Sequence, residues 1–427
     1  MRLRQLVGVL AVGLSASTLR AQATPRVPVP TANPVPAPGS ELTVTLVTFG
    51  QGAEVFERFG HNALWFHDAS TNQDVAYHWG LFDFNEPGFI VRFLTGDTKY
   101  SMGPNDANAL IDFERRAGRE VTLQQLNLTP PQAVALRDFV RWNARNENKF
   151  YRYDYFRDNC STRLRDALDH ALDGALKAAT DTVLTTLSYR RESVRLTDGD
   201  TPIQVGIDIA LGRPADEPLT QWESFFIPMR LRDAVRRLRL PRQDGSSASL
   251  VEREWTLAAA PGTTPVIEAP VAPRLTPELA FIGILLAGVV VGLRLAMPRS
   301  RVAAWALALT GSVWSLLSGM LGVILLLAWF ATRHVFWSGN ENVLVVTPLS
   351  LLLVPLVPMA LLGRPTEQTS RAARMVAALV MMLALLGVVT ALIPGGQESR
   401  AIVALFVPTH LALAWALSLP RDATSLI

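Results

Sequence analysis

Apolar residues are distributed unevenly along the 427-residue chain: the first two-thirds mix apolar and polar positions, and the last third is almost continuously apolar. That contrast predicts an α+β soluble domain followed by an all-α membrane domain. At the start, Arg2 and Arg4 precede a short apolar run over 6–14, and Ala21-Gln22-Ala23 supplies a small-residue cleavage pattern, so 1–23 read as a signal peptide. The run falls well short of the roughly 20 residues a spanning helix needs. Prolines at 25, 28, 30, 34, 36 and 38 predict an extended tether over 24–40. Within 41–257, alternation predicts a small antiparallel sheet with strands over 42–49, 62–67, 74–84, 99–103 and 120–128, and a short helix over 87–94. Pro130 and Pro131 open a helix reaching about residue 146, with Val134, Leu136, Phe139 and Val140 as its stripe. Another helix starts at Cys160, capped by Asp158 or Asn159, with Leu164, Ala167, Leu168 and Ala171 on its buried face. Residues 186–240 read as helices and loops. They end in a basic amphipathic stretch, 230–240, that lies either on a bilayer or as an ordinary solvated helix. A Pro- and Ala-rich linker follows over 258–277.

Five apolar segments, 278–293, 302–330, 343–363, 375–393 and 401–419, predict five transmembrane helices within 278–427. Arg294, Arg299 and Arg301 follow the first, Arg364, Arg371 and Arg374 the third, and Arg421 the fifth, which makes these places cytoplasmic and puts 41–257 outside. The signal peptide independently predicts the same side. The net charge of +3 rests on arginine, since Lys99, Lys149 and Lys177 are the only lysines. This excess suits an anionic lipid surface, solvated faces or cytoplasmic anchors; no motif accompanies it that would support nucleic-acid binding.

Cys160 is the one cysteine, so an exported chain has no intrachain disulfide for it to join, and it is either buried and inert or kept for its reactivity. The predicted helix start, with Arg157 and Arg163 nearby, favours the thiolate. His170, ten residues along the same helix, is turned away and reads as a surface residue, and His67 beside Asp68 reads as a turn residue. His61 opens a predicted strand after Gly60, and His78 lies on the next in Tyr77-His78-Trp79-Gly80. By spacing alone these are either structural strand histidines or a general base with a partner that holds its tautomer. His334, Asn340, Glu341 and Asn342 fall on the outer side, in a headgroup site or a solvated loop, and His410 falls mid-span, bonded to a neighbouring helix or functional. The sequence has no metal-ligand pattern and no nucleotide loop, so neither metal nor cofactor is expected.

The order His, second polar residue, then Asn-Cys at a helix start resembles the circularly permuted papain-like group that includes NlpC-type peptidases and lecithin:retinol acyltransferase. Closer is the resemblance to the Lnb-type lipoprotein N-acyltransferases. It is carried by Phe59-Gly60-His61-Asn62-Ala63-Leu64, Tyr77-His78-Trp79-Gly80, Asp158-Asn159-Cys160-Ser161-Thr162-Arg163, the 206–228 region, the membrane domain, and the loop Trp337-Ser338-Gly339-Asn340-Glu341-Asn342. Thr347 departs from the asparagine expected there. The resemblance implies a permuted papain-like (NlpC-like) domain in which Cys160 is nucleophile, His61 general base and His78 the orienting residue. Asn159, Arg163, Trp337, Asn340 and Asn342 are candidates for holding substrate. The implied reaction moves an acyl chain from a phospholipid through a cysteine thioester to the N-terminal amine of a lipoprotein, at the bacterial inner membrane with the catalytic domain periplasmic. The alternative is an exported cysteine peptidase or amidase acting on the cell wall.

Overall fold

Buried side chains fall at consecutive positions along β1 (Leu42–Phe49), β2 (His61–Asp68), β3 (Gln73–Leu81), β4 (Lys99–Asp106) and β5 (Val121–Leu126), and because successive side chains point to opposite faces this places apolar residues on both faces of one sheet. The computed structural model describes residues 37–241, 246–269, 275–362 and 365–420; the signal peptide, most of the tether, Arg364 and Arg421 lie outside them. β6 (Phe150–Arg152) and β9 (Val251–Leu257) complete an antiparallel sheet in the order β6-β4-β3-β2-β1-β5-β9. Between the strands run α1 (Phe89–Thr95), α2 (Ala107–Arg116), α3 (Pro130–Asn143), α4 (Cys160–Ala171), α5 (Ala175–Thr180), α6 (Tyr189–Leu196), α7 (Thr201–Ala210), α8 (Gln221–Ser224) and α9 (Pro228–Arg237). A hairpin of β7 (Arg239–Pro241) and β8 (Ser247–Ser249) precedes β9.

One sheet face, with Leu46, Leu64, Tyr77 and Trp79, is covered by α3, α4 and α9, and the other, with Val47, Phe49, Ala63 and Ala76, by α2. The basic stretch forms α9 and packs in the core: Leu231, Ala234 and Val235 are buried, while Arg230, Arg232 and Arg236 pair with Glu192, Asp233 and Glu254. It is therefore a core helix of the domain and not one lying on a bilayer. The stretch read as a linker is strapped to the domain as far as Ala269, through Ala260 N–H to Arg115 O (2.9 Å), Val266 N–H to Gly118 O (3.0 Å) and Ala269 N–H to the Gln51 carboxamide (3.0 Å).

Among the described residues, five segments are long and apolar enough to span a membrane. Four are single helices, α10 (Leu275–Ala296), α11 (Arg301–Ala331), α14 (Glu367–Leu392) and α15 (Arg400–Ser418), while the third is broken into α12 (Asn342–Val345), a 3-10 turn over Pro348–Leu352, and α13 (Leu353–Leu361). Pro348 has no N–H to continue the ladder, so a carbonyl is left over in an apolar setting. His410 on α15 meets it: its Nε2–H donates to Val345 O at 3.0 Å while its Nδ1 accepts from Trp314 at 3.4 Å. The mid-span histidine is thus a neutral, bonded group that stabilises the break.

The loops at one end of the bundle lock into the α+β domain. The carbonyls of Ile209, Ala210 and Leu211, orphaned at the end of α7, are capped from the membrane domain. The Asn340 carboxamide donates to Ile209 O (2.8 Å) and Ala210 O (3.0 Å) and accepts from Asn342 N–H (3.0 Å) and Gln397 (3.1 Å). Asn342 also donates to Ile209 O (3.1 Å), and Gln397 to Leu211 O (3.2 Å). Arg294, near the opposite end, donates to Ala416 O and Pro420 O. Asn340→Ala removes one partner from each of the four bonds made by the Asn340 carboxamide and is expected to cost about 2–4 kcal/mol. The check is the melting midpoint of the detergent-solubilised protein, which should fall by several degrees.

Candidate active site

The thiol position is set by a helix start. Asn159 accepts from Ser161 N–H and Thr162 N–H (2.9 Å each) and donates to Tyr155 O (3.0 Å) and Phe226 O (2.9 Å), while Thr162 Oγ1 accepts from Asn159 N–H at 2.8 Å. This reciprocal cap fixes Cys160 as the first residue of α4. All of these Asn159 bonds are internal, so its role here is to hold the helix start in place. Ser161 anchors the same turn from below, donating to Phe225 O (2.6 Å) and accepting from Asn62 (3.3 Å).

His61 is the first residue of β2, and its Nε2 lies 2.8 Å from His78 Nδ1 on β3. His78 Nε2 in turn lies 2.9 Å from the Asn105 carbonyl oxygen on β4. An oxygen can only accept, so His78 carries its proton on Nε2, its Nδ1 accepts from His61 Nε2–H, and a neutral His61 is left with a bare lone pair on Nδ1. Strand alternation places both imidazoles on the α2 face, whereas the body of α4 lies on the opposite face. Cys160 and His61 are linked at the sheet end through their chain neighbours and through Arg119, which acts on both. Ser161 and Asn62, bonded to each other, are the residues next to Cys160 and His61; Cys160 itself touches Gly80, two positions beyond His78. Gly80 has φ +90° at a bulge in the β3–β4 pairing, and a Cβ there would sit 3.2 Å from the Cys160 Cβ.

Electrostatics differ from the sequence expectation. Loss of solvent pushes the Cys160 thiol up to about 12, with backbone N–H groups and Arg119 opposing. A helix start contributes only about 0.3–1 kcal/mol toward the anion, against the roughly 4 kcal/mol that a shift of this size represents. Desolvation by the surrounding atoms wins even though Cys160 keeps some solvent-accessible surface, and the resting group is a thiol. Neither expected arginine offsets it: Arg163 is paired with Asp158 (2.7 Å) and stacked on Tyr151, and Arg157 lies over the Phe336 ring. Arg119, held by Glu114 at 2.7 Å, acts instead. His61 is also lowered well below the usual imidazole value, first by burial and then by His78 and Arg119, and burial lowers His78 while its bond to Asn105 resists. Thiol and imidazole are both neutral at rest, and full proton transfer between them is uphill.

The remaining candidates lie elsewhere. Trp337 is half-buried against His334 (3.8 Å between rings) beside the Phe156–Tyr189–Phe336 cluster, and Asn340 and Asn342 form the joint to α7. Asn340 and Asn342 are therefore buried rather than solvated, and Asn340 has both its donors and its acceptor occupied. His170 is exposed against Phe139, and His67 lies within β2, bonded to Asp74 at 2.9 Å across the strand pair rather than in a turn. Asn105, Arg119 and Gly80 were not expected as site residues. Of these, Gly80 had a local signal, as a glycine closing the Tyr-His-Trp-Gly motif.

An α+β domain holding a helix-start thiol against Gly80, two positions beyond His78 of a bonded histidine pair, and joined to five apolar spans, is that of a multi-pass membrane protein with a candidate thiol centre. Residues 37–191 match the family model described as the Lnb N-terminal periplasmic domain, a stretch containing His61, His78, Asn105 and Cys160. The match supports a likeness to the Lnb-type family over this stretch. No curated protein and no solved structure matches it.

The raised thiol predicts slow alkylation: iodoacetamide at pH 7.5 should modify Cys160 at least tenfold more slowly than free glutathione, with the rate still rising above pH 9. Gly80→Ala should strain the backbone and displace Cys160, changing that rate by several-fold while circular dichroism stays unchanged.

Proposed function

We propose that the protein is a membrane-bound thiol acyltransferase that moves an acyl chain from a phospholipid, through a Cys160 thioester, to the N-terminal amine of a lipoprotein, at the bacterial inner membrane with the thiol domain on the periplasmic side. The observation that carries this reading is the Asn105–His78–His61 chain, which leaves an unprotonated Nδ1 at the sheet end where a helix-start cysteine arrives. Because the pair is neutral at rest, the thiol proton passes to His61 Nδ1 as the sulfur–carbon bond forms, and the imidazolium then protonates the departing lysophospholipid alkoxide. In the second half the amine attacks the thioester, His61 accepts its proton, the amide forms and the thiol is restored. The Cys160 N–H is a candidate donor to the developing oxyanion. A bilayer-bound enzyme also avoids bringing a free acyl chain into water, at about 0.8 kcal/mol per CH₂, which gives the spans a purpose that a wall peptidase does not need.

Cys160→Ala should abolish transfer from phospholipid to a synthetic diacylated lipopeptide, His61→Ala should reduce it by about 10²–10⁴-fold, and purified wall fragments should remain uncut. Cleavage of those fragments by the wild type would favour the peptidase. The sign of the pH effect follows from burial: with the His61 value lowered, the base stays neutral as pH falls through 6.5, so the acid limb of the rate profile should lie well below that pH.

A further inference from the structure

α1 departs from the burial of an ordinary surface helix. Of its residues only Phe89 is buried, while Ile90, Val91, Phe93 and Leu94 are 59%, 65%, 42% and 54% exposed. Phe84 (58%) and Phe56 (54%) extend the same surface, with ring centroids 6.2 Å apart for Phe56–Phe84, 5.3 Å for Phe84–Phe89 and 6.3 Å for Phe89–Phe93. Isolated exposed apolar residues are ordinary, but a contiguous patch implies a covering partner.

Its position in the fold identifies that partner. The end of α1 is tied to the first residues beyond the outer end of α11: Arg333 N–H donates to Thr95 O (2.8 Å), His334 Nε2–H donates to Phe93 O (2.9 Å), and Arg333 pairs with Asp97 at 3.2 Å. Gly96 packs so closely on this loop that a Cβ would lie 3.0 Å from His334 N and 3.1 Å from Arg333 C. The last turns of α11 present Leu327 (57%) and Phe330 (74%), side chains suited only to lipid. The apolar patch therefore starts where the spanning bundle leaves the hydrocarbon, with Arg152 and Arg333 joined at the headgroup level.

We propose that α1, with Phe56 and Phe84, is inserted into the outer leaflet as an interfacial element beside the spans. This holds whatever chemistry Cys160 performs. The test places a single label at Ile90→Cys, and separately at Leu94→Cys, in full-length Cys160→Ala protein in phosphatidylethanolamine–phosphatidylglycerol nanodiscs. The reference is Phe113→Cys on α2, across the sheet. Lipids carrying a quencher high on the acyl chain should quench the labels at 90 and 94 several-fold more than the label at 113, and iodide should do the reverse. Iodide quenching at 90 and 94 equal to that at 113 would overturn the proposal. So would protection from both quenchers together with a cross-linked dimer, since a second copy would then cover the patch.

Discussion

The candidate site depends on one hydrogen-bond chain. The Asn105 oxygen sets the proton on His78, His78 sets the proton on His61, and the result is an imidazole whose free nitrogen can accept but not donate. Burial of the pair makes the protonated forms costly, and burial of Cys160 makes the thiolate costly. Desolvation thus decides the resting state, and neighbouring charges only moderate it. On the acyl-transfer reading the proton would move to the imidazole as a substrate carbon approaches the sulfur.

The rest of the molecule constrains where that pair can work. α4 is held by its own cap and by Ser161, and α7 by asparagines and a glutamine from the outer loops. Aromatic rings run inward from the exposed patch through Phe82, Tyr100 and Tyr153, whose phenol is raised first by burial and then by the nearby Cys160 sulfur in its ionised form. On the acyl-transfer reading, a chain drawn from the leaflet would meet apolar surface along this line.

Strand alternation made β1, β2 and β5 legible within a residue or two, and the Asn-Cys helix start was legible from its capping residue. Asn105 was hidden because Pro104 looks like the end of a strand; β6 covers only Lys99–Ser101, so Pro104 falls where β4 is an edge, and the sheet tolerates it. Arg119 was hidden by distance along the chain. Arg157 and Arg163 misled because nearness in sequence was read as electrostatic nearness, whereas Asp158 and the rings of Phe336 and Tyr151 hold them. The asparagines of the outer loop misled in a related way: their partners are helix-end carbonyls on α7, and no local pattern can pair the two.

The most direct measurement is intact-protein mass spectrometry after incubation with a phospholipid of defined acyl chains and no amine acceptor. The account predicts a single acyl adduct, released by neutral hydroxylamine and mapped to Cys160. An unmodified protein that still transfers acyl chains to a lipopeptide, or an adduct mapped to another residue, would contradict it.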